Sequence, residues 1–483
     1  MNLSSRRPIF SRRPESSVYR MFFWAILALG GVWLIIQIQH GDIKSPFAPT
    51  PTATRTSNSY ALEGDAQFIA GNLGAAITAY GEAVRVDPNN AKAWAELARI
   101  QTYSTALLTT DAEKRARLAE ALDSANRAVQ VAPDDSTTHA VRAFALDWNA
   151  DPSLVDSRQF ENLLAQADQD ALQALQLDNT NTLALAYYSE ILVDEQKWTQ
   201  AEQYIEQAVA RDPSLMDVHR VYAYVLESLG QYNLAIQEYE KAIAITPSLT
   251  FLYLRAGLNY RELGRRSPNE ETQKQLYERS LEYFAKAASI NDQLGIQDPA
   301  PYLSIAKTYT QQGDFFIAAR NVQKALGFQP YNADIYGQLG IVYFKSRNYE
   351  GSIPTLKCAV EGCSGEDSCI GRGLTGCDAD NPPATVQALP LSPSSIDYYQ
   401  VYFSVLAALG PRDQTYCPKA LEIAAQVEAS PYITDRPDIV SNMAVARQEC
   451  SGEASAPVAV PETPSTPEPN VTPSFYLTPY ATP

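Results

Sequence analysis

Residues 229–249 read LGQYNLAIQEYEKAIAITPSL, a segment with one Lys, two Glu and no His or Cys. Its small residues decide the fold. Ala235, Ala242 and Pro247 stand at set spacings, and Ile236, Tyr239 and Ile243 complete the same helical stripe. KWTQAEQYIEQAVARDPSL places Ala201, Ala208 and Pro213 alike, and DFFIAARNVQKALGFQPYN places Ala318, Ala325 and Pro330. From Ala201 to Ala235 is a step of 34 residues, and a fixed period of that size marks a stack of like helical units.

Two helices fill each period. The first carries large and small residues on one face, as in Tyr253, Ala256, Gly257 and Tyr260, or Tyr336, Leu339, Gly340 and Tyr343. A turn follows, marked by Gly71, Gly230, Gly264 or Gly313, and the second helix brings the two small residues. Small side chains at a crossing let two helix backbones approach closely, while aromatics fill the groove beside them. The proline then stops the second helix from running into the next unit.

This pattern resembles the tetratricopeptide repeat. Eight repeats begin near Ser57, Ala91, Ser136, Thr182, Met216, Thr250, Pro299 and Ala333, and the first shows Tyr60, Gly64, Gly71, Ala76, Tyr80, Ala83 and Pro88 at the signature places. The resemblance implies an all-α, right-handed solenoid whose first helices line a concave groove for an extended peptide. The groove positions it assigns are Arg99, Tyr103, Tyr187, Glu190, Arg220, Tyr224, Glu227, Arg255, Arg261 and Lys307. Among them Arg220, Tyr224, Arg255, Arg261 and Lys307 are the candidate ligand contacts, because cations in an otherwise acidic body suit a carboxylate-bearing segment; the alternative is a solvated charged face. The Lys/Asn clamp of the subgroup that binds cytosolic chaperone tails is missing, since Ala61, Asp65, Glu96, Thr137 and Val141 occupy its places. Two repeats depart from the pattern: the third has Arg142 and Asn179, and the eighth has Ser352 and Pro354 early in its second helix, so irregular helices are expected there.

Repeats 2, 3 and 6 are longer than the others, with the excess around STALLTTDAEK, NADPSLVDSRQF and RRSPNEETQKQL. About eleven residues make three helical turns. The surplus can therefore extend helices without rotating their apolar stripes and project from one edge of the stack, or form surface loops.

The net charge is −17; five arginines and one Glu within residues 1–20 contribute +4, so the rest of the chain carries −21. An acidic body argues against nucleic acid, which needs a basic surface to neutralise phosphates. MFFWAILALGGVWLIIQI, residues 21–38, is free of charge and at about 1.5 Å per residue spans a bilayer core. Arg6, Arg7, Arg12, Arg13 and Arg20 precede it, against Lys44 and Arg55 after it, which expects the N-terminus in the cytoplasm and the repeats outside. A cleaved signal peptide is the rival reading. The chain thus divides into a cytoplasmic Arg-rich tail (1–20), a transmembrane helix (21–38), a Pro/Thr linker (39–56), the repeat array (57–359), a Cys-rich loop (360–390), a degenerate ninth repeat with a capping helix (391–450), and a disordered Pro/Thr-rich tail (451–483) carrying a sequon at Asn470.

All six cysteines lie late, at Cys358, Cys363, Cys369, Cys377, Cys417 and Cys450. Their spacings are wider than the usual zinc pairs and no His accompanies them, so disulfides are the expected state outside the cytoplasm. An antiparallel hairpin in the cap places Cys417 beside Cys450 as a pair; the pairing of the other four stays open.

Three histidines, no nucleophile elbow and no phosphate loop leave no enzyme motif, and no cofactor or metal site is expected. The expected function is a non-enzymatic, membrane-anchored scaffold for a protein or peptide partner in a bacterial envelope. The alternatives are an envelope spacer and an accessory subunit of an envelope enzyme or export complex.

Overall fold

The structure is a computed structural model that describes residues 17–40, 55–434 and 436–451. Arg6, Arg7, Arg12 and Arg13, most of the linker, the C-terminal tail and its sequon lie outside the described residues. Among the described residues there are 21 α-helices and no β-strand. The chain splits into two compact units, residues 1–55 and 56–483.

The first unit holds α1 (Val18–His40), whose stretch Val18–Gln37 has a mean hydropathy of 1.8 and exposed side chains. It is long and apolar enough to cross a membrane.

The second unit is an all-α solenoid of helical hairpins. Its pairs are α2 (Ser57–Ile69) with α3 (Leu73–Val86), α4 (Ala91–Ser104) with α5 (Asp111–Val131), α6 (Ser136–Asn149) with α7 (Ser157–Leu177), and α8 (Thr182–Asp194) with α9 (Trp198–Arg211). There follow α10 (Met216–Ser228) with α11 (Tyr232–Ile245), α12 (Thr250–Arg266) with α13 (Glu270–Leu294), α14 (Ala300–Gln312) with α15 (Phe315–Phe328), and α16 (Ala333–Lys345) with α17 (Tyr349–Val360). A short α18 (Gly365–Gly371) precedes the closing group α19 (Ile396–Leu409), α20 (Tyr416–Glu428) and α21 (Pro437–Ser451).

The small residues do what their spacing implies. Ala201, Ala208, Ala235, Ala242, Ala318 and Ala325 are all fully buried, at 0% exposure. Between hairpins, Asn90 accepts from the Ala93 amide at 3.0 Å, and Asn332 from that of Asp334 at 3.1 Å, satisfying helix N-termini that would otherwise lack acceptors. Within hairpins the turn residue is left-handed: Gly71 has φ 83°, and Gln196 and Arg347, at the same place in their repeats, have φ 60° and 62°. A side chain in that conformation costs roughly 1–2 kcal/mol, which the flanking helices impose.

Three expectations change. Gly264 is not a turn; it lies inside α12, where an added Cβ would sit 2.9 Å from the Tyr277 ring, because the surplus of repeat 6 carries the first helix onward. Repeat 3 is regular, because Arg142 finds Asp170 on α7 (Nε to Oδ2 2.5 Å) and Asn181 caps α8 without a proline nearby. α17 also continues through Pro354, held by Leu356, Cys358 and Ala359 at 0% exposure.

The surplus residues mostly lengthen second helices, giving 21 residues in α5 and α7 and 25 in α13 against 14 in α3. The excess of repeat 2 does not simply project. Asn332 donates to the Thr109 hydroxyl at 2.5 Å, that hydroxyl donates to Gln329 at 3.2 Å, and Ser394 donates to Asp111 at 3.0 Å. The array therefore curls until repeat 2 touches repeats 7, 8 and 9. At Gly71 the approach is tighter still: an added Cβ would meet the Ser248 carbonyl at 2.1 Å.

Cysteine pairing follows the helices. Cys417 on α20 joins Cys450 on α21, with Cα atoms 5.3 Å apart, and the four open cysteines pair as Cys358–Cys363 and Cys369–Cys377.

Candidate ligand-binding groove

The first helix of each hairpin faces the inside of the curl, so residues of adjacent first helices stand side by side about one repeat apart. In repeats 2 to 5 these residues bond to each other. Asp217 on α10 accepts from Arg99 at 3.1 and 3.2 Å, from the Tyr187 hydroxyl at 2.6 Å, and from the Tyr103 hydroxyl. Burial works to raise the Asp217 carboxyl, but Arg99 and the two hydroxyls outweigh it and hold its pKa below the usual value.

Arg220, at 6% exposure, grips Glu190 of α8 with both terminal nitrogens at 2.8 and 2.5 Å and donates to Tyr103 at 3.1 Å. Trp148 donates to the same glutamate at 3.2 Å. The Tyr224 hydroxyl donates to Asp194 at 2.5 Å. Arg255 donates to Glu227 at 2.9 Å and to Tyr239 at 3.2 Å, and Asn259 gives Glu227 another bond at 2.9 Å. Aromatic rings close the space between, with Tyr103 stacked on Phe251 of α12 at 5.2 Å. What remains is a cavity of about 30 Å³ bordered by Trp148, Glu190, Arg220, Tyr224 and Arg255, room for a water or two and not for a peptide side chain.

One like-charge pair lies within this region. Asp147 and Asp194 bond carboxyl to carboxyl, and one Asp147 oxygen has no partner among the described residues. Burial, then the Asp194 and Glu190 charges, push Asp147 well up; burial and Glu190 lift Asp194 to about 7 against the Tyr224 hydrogen bond.

Beyond Arg255 and Asn259, the inner face from Arg261 of repeat 6 to repeat 8 differs. Arg261 on α12 is 7% exposed, donates only to the Ser304 carbonyl at 3.3 Å, and lies 5.7 Å from the Phe284 ring centre. It has no ion pair among the described residues, and burial brings its guanidinium down to about 10. Lys307 on α14 is half-buried and makes no hydrogen bond or ion pair among the described residues. Burial, then Arg261 and Lys345, push its ammonium well below the lysine range. Lys345, the last residue of α16, is also held low by burial, with Asp397 acting against it.

The five candidate contacts thus fall into two sets. Arg220, Tyr224 and Arg255 are each bonded to a carboxylate of the preceding first helix, whereas Arg261 and Lys307 are not. Asp217, the Asp147–Asp194 pair and Lys345 were not singled out from the sequence. The Asp217–Arg99 link gave no signal there, because the two residues are 118 positions apart. Lys345 did, as one more cation on the next first helix.

Known proteins bear on the fold. A TPR-repeat profile matches residues 64–104 and a tetratricopeptide-repeat profile residues 189–249. A human IFIT1 dimer solved with PPP-AAAA is similar in structure at TM-score 0.50 and 16% identity, covering 83% of this chain and 91% of that one. A thermophilic TPR protein from Thermus thermophilus aligns with 42% of this chain and 98% of its own at 19% identity and TM-score 0.35. Among curated proteins no sequence matches.

Proposed function

We propose, on the premise that this chain is a tetratricopeptide-repeat protein, that it is a membrane-anchored scaffold holding a protein or peptide partner on the extracytoplasmic side. Tetratricopeptide repeats generally serve as non-catalytic scaffolds for protein partners, and nothing in the inward-facing residues requires another role. α1 supplies the anchor, and the arginines before it favour an outward-facing array. The single observation that carries the placement is that all six cysteines are bridged, a state that persists in oxidising compartments.

The groove of this scaffold is proposed at repeats 6 to 8, with Arg261 and Lys307 toward the ligand. Arg220, Tyr224 and Arg255 then support its wall. Protease added to intact spheroplasts producing the full-length chain is expected to remove the array; protection until lysis would refute the outward placement. Full-length protein in detergent is expected to recover one partner reproducibly, whereas repeated recovery of none would favour a spacer.

A further inference from the structure

The bridge between Cys369 and Cys377 is distinguished by the charge beside it. Cys369 lies on α18 at 0% exposure, whereas Cys377 sits in the loop that follows and is partly exposed. Arg372, just past the end of α18 and 6% exposed, donates through Nη2 to the Cys369 Sγ at 2.9 Å. Its other bonds go to the Pro382 carbonyl at 2.7 Å and the Ser368 carbonyl at 3.3 Å. No carboxylate forms an ion pair with it among the described residues. Asp378 feels its charge across the loop, yet accepts from the Asp380 and Asn381 amides at 3.0 and 2.7 Å.

A buried guanidinium without a counter-charge is costly, so it favours the appearance of an anion against it. While the bridge is closed, the Cys369 sulfur is neutral. When a thiolate attacks a disulfide, the departing sulfur takes the bonding electron pair, and exchange is faster the better that departing thiolate is stabilised. Here the buried sulfur has the cation and the other sulfur is the reachable one, which sets the polarity of exchange. Arg372 is itself held in place, because Gln323 on α15 donates to its carbonyl at 3.0 Å. Past the loop, Cys363 and Val386 exchange backbone bonds of 3.0 Å, and the Cys358–Cys363 bridge secures that pairing on the path to the cap.

We infer that Cys369–Cys377 is a thiol–disulfide exchange site for a dithiol reductant, with Arg372 fixing which sulfur leaves. One thiolate of the reductant attacks the Cys377 Sγ; the S–S bond breaks, and its electron pair goes to Cys369, whose thiolate Arg372 holds. The second thiolate of the reductant then attacks the reductant's own sulfur in the mixed disulfide. Cys377 departs as a thiolate and takes a proton from water. Two electrons have passed to the bridge, and the reductant has become a disulfide. Opening releases residues 373–382, while the Cys363–Val386 pairing keeps the cap attached.

The test uses the full-length protein in detergent and dithiothreitol as the reductant, with acid quenching, alkylation of the unfolded chain and peptide mapping by fragmentation mass spectrometry. Cys369–Cys377 is expected to open about tenfold faster than Cys358–Cys363 or Cys417–Cys450. Reduced glutathione, a monothiol, should leave its acid-trapped adduct on Cys377. Arg372→Gln should slow the opening about tenfold without changing the other two bridges, and Arg372→Lys should keep most of the wild-type rate. After opening, hydrogen exchange should rise in residues 373–382 and stay unchanged in α19 to α21. Equal or earlier opening of either other bridge would overturn the site, as would an adduct on Cys369, or opening in Arg372→Gln as fast as in wild type. Loosening that spread through α19 to α21 would make the bridge a staple of the cap instead. Should Arg372→Gln lose helicity, the order of opening and the position of the adduct in the wild-type chain decide alone.

Discussion

Repeats 2 to 5 and repeats 6 to 8 display the same kinds of charge on the same inner face, yet the first group has spent its charges on itself. Arg220 and Arg261 have nearly the same exposure, 6% and 7%, and differ in what stands opposite: a glutamate for one, a backbone carbonyl for the other. Inward position therefore does not separate a charge paired within the fold from one left without an ion pair; the group standing opposite does.

The contrast breaks most visibly at Asp217. Asp217→Ala removes the acceptor shared by Arg99 and the Tyr103 and Tyr187 hydroxyls, leaving Arg99 with Glu96 alone and both hydroxyl donors unsatisfied, and thermal and urea unfolding should show a loss of about 3–5 kcal/mol. A loss below about 1 kcal/mol would mean that the first region is not held by its internal charges. The cap that follows the second region is stapled instead. Replacing Cys417 and Cys450 together by Ser frees a 33-residue separation and should cost the cap about 3–4 kcal/mol in the chain-entropy model. Hydrogen exchange should then rise in α19 to α21 and stay unchanged in α4 to α11.

Asp194 sharpens the comparison as the exception within the paired region. Its folded pKa of about 7 lies above the ordinary aspartate value, so the folded state holds a proton that the unfolded chain releases. The stabilisation is complete below about pH 4 and is lost as pH rises through 7. Unfolding free energy should therefore fall between pH 5 and 8 by on the order of 1–3 kcal/mol. Asp194→Asn should flatten that fall and exceed wild type at pH 8; an unaltered pH profile would remove the pair from the argument.

Much of this was open to inspection in the sequence. The buried alanines gave the register, because a helix crossing tolerates only small residues there, and the hairpin of the cap brought Cys417 to Cys450. The pairing of the groove charges was also legible, though unread. Arg220–Glu190, Tyr187–Asp217 and Tyr224–Asp194 are each 30 residues apart, and Arg255–Glu227 is 28. In a 34-residue period those offsets put residues of adjacent first helices side by side. The first helix before Lys307 carries Glu262, which Arg265 and Arg266 of the same helix already hold. The contacts of Arg99 with Asp217 and of Thr109 with Asn332 were not legible, because they depend on rotation summed over several repeats and on three insertions. Sequence spacing records neighbours and not accumulated curvature.

The touch of repeat 2 on repeats 7 to 9 has a consequence for how such a chain can change over generations. An open stack can gain or lose a hairpin by duplication or deletion, since each interior interface is interchangeable with the next. Here one added 34-residue hairpin between residues 111 and 329 would carry Gln329, Asn332 and Ser394 away from Thr109 and Asp111. The number of repeats is thereby locked, and variation is left to point substitutions and to the ends of the chain.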